Sequence, residues 1–162
     1  IPLRLVGSEM CIRDRRKVLS VPIAAGECEQ TRYGFERFVS ARSIDIFQPD
    51  IAYCGGITEF QKINALASAA HADVVPHCWG LKINQAAAAS AISMIPENPG
   101  RFERRPVFLE VDQTEHPIRD TIFSTAHDII DGKLHFNDLP GLGVIIDESV
   151  MEPFVIDPKA KD

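Results

Sequence analysis

Apolar positions along this chain fall into short continuous runs that alternate with stripes of helical spacing. From about Val18 one unit recurs: a brief apolar strand, a polar residue at its end, a turn, and an amphipathic or alanine-rich helix. That alternation predicts a parallel α/β arrangement. In the first unit, Val21 to Ala25 is the expected strand and Gly26 and Glu27 close it. A helix follows from about Arg32 to Ala41, with Phe35, Phe38 and Val39 on one face at i, i+3 and i+4. In the second, Ile44 to Phe47 leads to Asp50, then to the turn Cys54-Gly55-Gly56. Thr58 and Gln61 have the spacing of a capping box. The helix expected from Glu59 to about Ala70 carries Phe60, Ile63, Ala67 and Ala70 as its buried stripe.

The third unit runs from a strand at about 73–76 through His77 and Trp79-Gly80 into a helix from about Ile83 to Met94. Its Ala86 to Ala89 run has little bulk and suits close packing against a neighbour. A fourth strand, Val107 to Val111, carries Glu110 near its end. Beyond it the repeat stops, and Asp131-Gly132 predicts the turn of a hairpin. Glu27, Asp50, His77 and Glu110 are separated by 23, 27 and 33 positions, each compatible with one strand-helix step of a barrel. A closed barrel needs eight such steps, so the expected fold is half of a (β/α) TIM-type barrel, with parallel strands at about 21–25, 44–47, 73–76 and 107–111.

The opening stretch, residues 1–14, has no clear period. Its string Leu5 to Arg15 resembles translated sequencing-adapter read-through and is expected to be foreign to the fold. This leaves 15–155 as the barrel part and 156–162 as a polar tail, and makes the chain a fragment of a longer protein.

Composition narrows the function classes. The 162 residues are 45% hydrophobic and 25% charged, as in a globular protein, and no apolar run approaches the ~20 residues of a membrane span. A net charge of −6 argues against a general nucleic-acid binder, with Arg101 to Arg105 only a short basic cluster. Cys11, Cys28, Cys54 and Cys78 form no CxxC pair, so reduced thiols in a cytoplasmic protein are the expectation.

In a barrel, residues at the strand ends converge on one mouth. Glu27 there can offer an oxygen to a hard cation such as Mg²⁺. His77 can exchange a proton near neutral pH, and Asp50 on its other nitrogen would set the tautomer. Plainer readings stand beside these. A Glu after Gly is more often a helix-initiating or surface carboxylate than a ligand, Asp50 after Gln48-Pro49 equally suits a simple turn, and His77 equally suits a structural histidine. Glu110 is harder to dismiss, because a buried unpaired carboxylate is costly. Trp79 either walls the pocket or packs in the core. His71, His116, His127 and His135 are read as structural or exposed.

Taken together, Pro22-Ile-Ala-Ala-Gly-Glu27, Asp45-Ile-Phe-Gln-Pro-Asp50 with Gly55-Gly56-Ile57, Val75-Pro-His-Cys-Trp-Gly80, Phe108-Leu-Glu-Val-Asp112 and Asp138-Leu-Pro-Gly-Leu-Gly143 resemble the C-terminal barrel half of the enolase superfamily, in its mandelate racemase/muconate lactonizing enzyme branch. The resemblance spans about Val18 to Val155 and leans toward galactarolactone cycloisomerase and acid-sugar dehydratases.

It implies that Glu27 is one of three carboxylate ligands of Mg²⁺, that Asp50 and His77 form the acid/base dyad, and that Glu110 hydrogen-bonds the substrate carboxylate or its enolate; Trp79, as a pocket wall, is the other substrate-binding candidate. The implied reaction removes the proton α to a carboxylate in a sugar acid or its lactone, as dehydratase or cycloisomerase. The implied parent is a homo-oligomer whose partners are small carboxylic acids rather than nucleic acid or membrane. The capping domain, a Lys-x-Lys base and the other two metal ligands are expected upstream of Val18, so the fragment alone is expected to be inactive. A racemase or epimerase of the same branch, or a noncatalytic half-barrel module, are the rival readings.

Overall fold

A computed structural model describes residues 14, 16, 18–96, 106–125, 127–136 and 138–156. Nearly all of the opening segment, the Arg101 to Arg105 cluster and nearly all of the polar tail lie outside the described residues.

Three strand-helix units form as expected. Strands β1 (Ala24–Ala25), β2 (Ile46–Phe47) and β3 (Asp73–Val74) pair in parallel in the order β1-β2-β3, with Ala24 opposite Ile46 and Ile46 opposite Asp73. Helices α1 (Thr31–Ala41), α2 (Gly56–Ala69) and α3 (Lys82–Ser93) follow them in turn. All three strands are shorter than the apolar runs that announce them. At β1 the cause is local. Pro22 has no N–H to donate, and the N–H of Ile23 goes to the Asp45 carboxylate at 3.0 Å instead of to a neighbouring strand.

The core lies between the sheet and its helices. Phe35, Phe47, Phe60 and Ile63 are essentially inaccessible to solvent, and Phe35 stacks on Phe47 with ring centroids 5.3 Å apart. Phe38 meets both rings edge-on, an arrangement the ring quadrupoles favour. The α1 stripe is borne out, with Phe35 and Phe38 buried and Val39 packed against the cluster. So is the alanine run, since Ala86, Ala88 and Ala89 on α3 are fully buried. At Gly26 (φ 123°) the backbone runs so near this core that an added Cβ would stand 2.6 Å from the Phe35 ring. Gly26→Ala is accordingly expected to cost about 1–3 kcal/mol, measurable as a lower urea midpoint.

Two expectations need correction. The Thr58–Gln61 capping box does not open α2, which starts earlier, at Gly56, behind Gly55 in a left-handed conformation (φ 112°). Glu59 in its first turn is recruited by α1, accepting from the Arg32 N–H at 3.0 Å and from its guanidinium at 2.7 Å, with Lys62 also in contact. Those bonds hold the Glu59 carboxyl at about 2, below its ordinary 4.5. A depressed acid stabilises the fold fully above pH 4.5 and ceases to as pH falls toward 2. Acid titrations followed by circular dichroism should therefore show wild type more stable than Glu59→Gln at pH 7, with the gap closing across that window.

The second correction concerns the fourth strand. Residues 107–111 form no strand and join no sheet among the described residues. The neighbouring N–H groups of Cys78 and Gly80 point to side-chain carboxylates, Glu110 at 3.3 Å and Asp112 at 3.4 Å, so no backbone ladder forms there.

After this segment a short helix α4 (Pro117–Ile122) leads into β4 (Phe123–Thr125), which pairs antiparallel with β7 (Val144–Ile146). Between them β5 (Asp128–Ile130) and β6 (Lys133–His135) make the expected hairpin. Asp131 and Gly132 both take positive φ, 50° and 72°, as a two-residue mirror-image turn requires.

Candidate active site

Because the three sheet strands are parallel, the residues after their C-terminal ends lie along one edge. Past β2 the chain turns at Asp50, whose Oδ1 accepts the Ala52 N–H at 2.8 Å. Past β3, Pro76 holds Val75 extended and carries the chain straight to His77. There Nδ1 of His77 lies 2.8 Å from Oδ2 of Asp50. Asp50 is thus both the turn residue and the histidine's partner, and the two readings of it are compatible.

Asn84 completes the arrangement. From the first turn of α3, its side-chain amide donates to Oδ1 and Oδ2 of Asp50, at 3.2 and 3.5 Å. Sequence reasoning missed it, because nothing in the chain separates a site-facing asparagine from any polar residue opening an alanine-rich helix. With these donors the Asp50 carboxylate is buried yet satisfied, as a buried charge must be. An anionic Asp50 requires the proton of a neutral His77 to sit on Nδ1, leaving the Nε2 lone pair as base. Nε2 has no hydrogen-bond partner among the described residues, and the imidazole is 27% exposed.

Glu110 joins from the next segment through the Cys78 N–H. Cys78 itself is buried, and burial with the charges of Asp50, Glu110 and Asp112 pushes its thiol up to about 12. It stays protonated at neutral pH, which removes it as a nucleophile.

The remaining candidates stand apart from this cluster. Glu27 follows β1 at the same edge, exposed, and its carboxylate is bonded to the N–H of Gly26 at 3.2 Å. Trp79 is 69% exposed, so the core-packing reading of it fails. Among the described residues no group of three or more His, Cys, Asp or Glu is placed to hold a metal. One carboxylate is not a site for a hard cation that takes about six oxygens. The residues present therefore do not by themselves fit Mg²⁺.

A parallel sheet with helices between its strands, bearing carboxylates and a histidine at its C-terminal edge, is the arrangement of an α/β barrel-type protein. The family model described as enolase C-terminal domain-like matches residues 9–150. The chain belongs to that family.

It is 34% identical over 134 residues to the D-galactarolactone cycloisomerase of Agrobacterium fabrum, covering 83% of this chain and 35% of that protein. With the arabinonate dehydratase of Saccharolobus solfataricus it shares 32% over 136 residues, 84% of this chain and 34% of the relative. The chain thus spans about a third of the length of the curated relatives it matches. Among solved structures, the 3,6-anhydro-D-galactonate cycloisomerase from Zobellia galactanivorans superposes with a TM-score of 0.82 at 33% identity, covering 92% of this chain and 40% of that one. No helix among the described residues is long and apolar enough to cross a membrane.

Proposed function

We propose that this chain supplies the acid/base half of an enzyme that removes the proton α to the carboxylate of a sugar acid or its lactone, as a dehydratase or cycloisomerase. The His77–Asp50 contact carries the reading: Asp50, held by Ala52 and Asn84, fixes the tautomer that leaves Nε2 as the base. In the dehydratase form, Nε2 of His77 takes the α-proton, the electron pair left on the α-carbon forms the C=C bond as the β C–O bond breaks, and the protonated His77 gives that proton to the departing hydroxyl, which leaves as water.

Glu110 binds the substrate carboxylate or its enolate through Oε1, because Oε2 is engaged by the Cys78 N–H. Trp79, exposed two residues after His77, is assigned to the substrate wall. The similarity to sugar-acid dehydratases and cycloisomerases supports the substrate class.

Mg²⁺ dependence belongs to the same proposal, with Glu27 as one oxygen ligand and the others outside this chain. Calorimetric titration of the 162-residue chain is accordingly expected to show no Mg²⁺ binding tighter than roughly millimolar, and the chain alone no Mg²⁺-dependent turnover of a sugar acid. A submillimolar site on it would overturn that division.

We place the parent protein in the cytoplasm as a homo-oligomer, and assign residues 15–155 to its barrel. Offering that parent a panel of acid sugars in D₂O tests the reaction. Loss of water or lactone rearrangement is the expected result. Recovered substrate bearing α-deuterium with no other change would instead point to a racemase or epimerase.

A further inference from the structure

The segment from His77 to Gly80 is held on one side by the Asp50 bond, and on its other side by two carboxylates in place of a strand. Cys78 and Gly80 are two residues apart, as are Glu110 and Asp112, so the two backbone N–H groups meet the two carboxylates in matching order. At the turn Gly80 takes φ 107°, a backbone setting that L side chains rarely adopt.

Of the two carboxylates, Asp112 is by far the better anchored. Its Oδ1 accepts from the N–H and hydroxyl of Thr114 at 2.8 and 2.7 Å, and its Oδ2 meets Nη1 of Arg119 at 2.7 Å. That ion pair is closed to solvent, with side chains 8% and 9% exposed. Arg119 is itself fixed by Asp120 at 3.0 Å and by the carbonyl of Thr114. Glu110, in contrast, is left with one oxygen for other work.

We propose that Asp112, locked by Arg119, is a positioning residue that holds the Gly80 turn and thereby keeps His77 aimed at Asp50. The inference rests on the reading of His77 as the proton-transfer group. Its test needs no substrate, so a failed sugar-acid assay and a failed positioning test are told apart.

In the 162-residue chain, Asp112→Ala should speed amide hydrogen exchange at Gly80 by about tenfold or more, the loss of one charge-assisted hydrogen bond. The signal of the His77 Nδ1 proton, expected in wild type from its 2.8 Å contact with Asp50 and followed by nuclear magnetic resonance, should broaden or vanish at the same time. Amides of α1 and α2 should keep their protection. Asp112→Asn retains a neutral acceptor and should fall between the two. Unchanged Gly80 and His77 signals in Asp112→Ala overturn the proposal, and so does acceleration spread evenly over α1 and α2, which marks a general brace. If Asp112→Ala does not fold, Asp112→Asn carries the same comparison, and wild-type behaviour at Gly80 and His77 in it overturns the proposal equally.

Discussion

His77→Asn is expected to slow exchange of the substrate's α-proton by about 10²–10⁴-fold, the usual contribution of one general acid/base group. Asparagine preserves a polar side chain of similar reach but cannot take up a proton. Because the imidazole is partly exposed and makes a single side-chain bond, thermal unfolding should hardly move. Asp50→Asn should have a smaller effect on exchange, since the base remains while its tautomer is no longer set. The measurement is the α-proton signal of an acid sugar in D₂O, recorded for the parent protein carrying each substitution. Wild-type exchange in His77→Asn would take this residue out of the reaction.

The largest expected loss of stability comes from Phe35→Ala. The ring is fully buried, stacked on Phe47 and met edge-on by Phe38, so its removal leaves a cavity lined by aromatic groups that have no way to close on one another. A cost of about 3–5 kcal/mol is expected, against a total stability of roughly 5–15 kcal/mol for a domain. Urea titration should show the midpoint collapse, and the variant should be substantially unfolded without denaturant if wild type lies near the lower bound. A midpoint close to wild type would mean that the Phe35, Phe38 and Phe47 cluster is not the centre of the core.

The two variants probe different depths of the same three-stranded fold. Phe35 sits on the helix that follows β1 and touches the backbone at Gly26, one residue before Glu27. Gly26 can stand there only because it has no Cβ. The strand-end position of Glu27 therefore depends on a contact made in the core. His77, by comparison, is positioned by polar bonds at the sheet edge and can lose its function while the core remains whole.

Much of this architecture is legible in the chain because it is built from short-range regularities. The stripe Phe35, Phe38 and Val39 needs only the 3.6-residue period to be seen, and Asp131-Gly132 needs only the preference of a tight turn for positive φ. The capping box at Thr58 and Gln61 failed because the helix already runs from Gly56, behind a left-handed Gly55, and it is Glu59 in that first turn that makes the long-range bond, to Arg32 across 27 positions. The strand at 107–111 has the right composition, but pairing is a property of two segments, and the facing N–H groups were taken by carboxylates.

The site divides along the same line. Order along the chain was enough to propose Asp50 and His77 as neighbours, since both follow short apolar runs of strand length, and parallel strands bring their ends to one edge. Folding alone could reveal that Asn84 steadies Asp50, that Trp79 faces outward, and that Asp112 and Arg119 brace the turn after His77. A period recorded in sequence says which face of an element is buried. Which polar atom satisfies which other is decided only once distant segments are packed, because a hydrogen bond depends on a separation of about 3 Å that no spacing along the chain encodes.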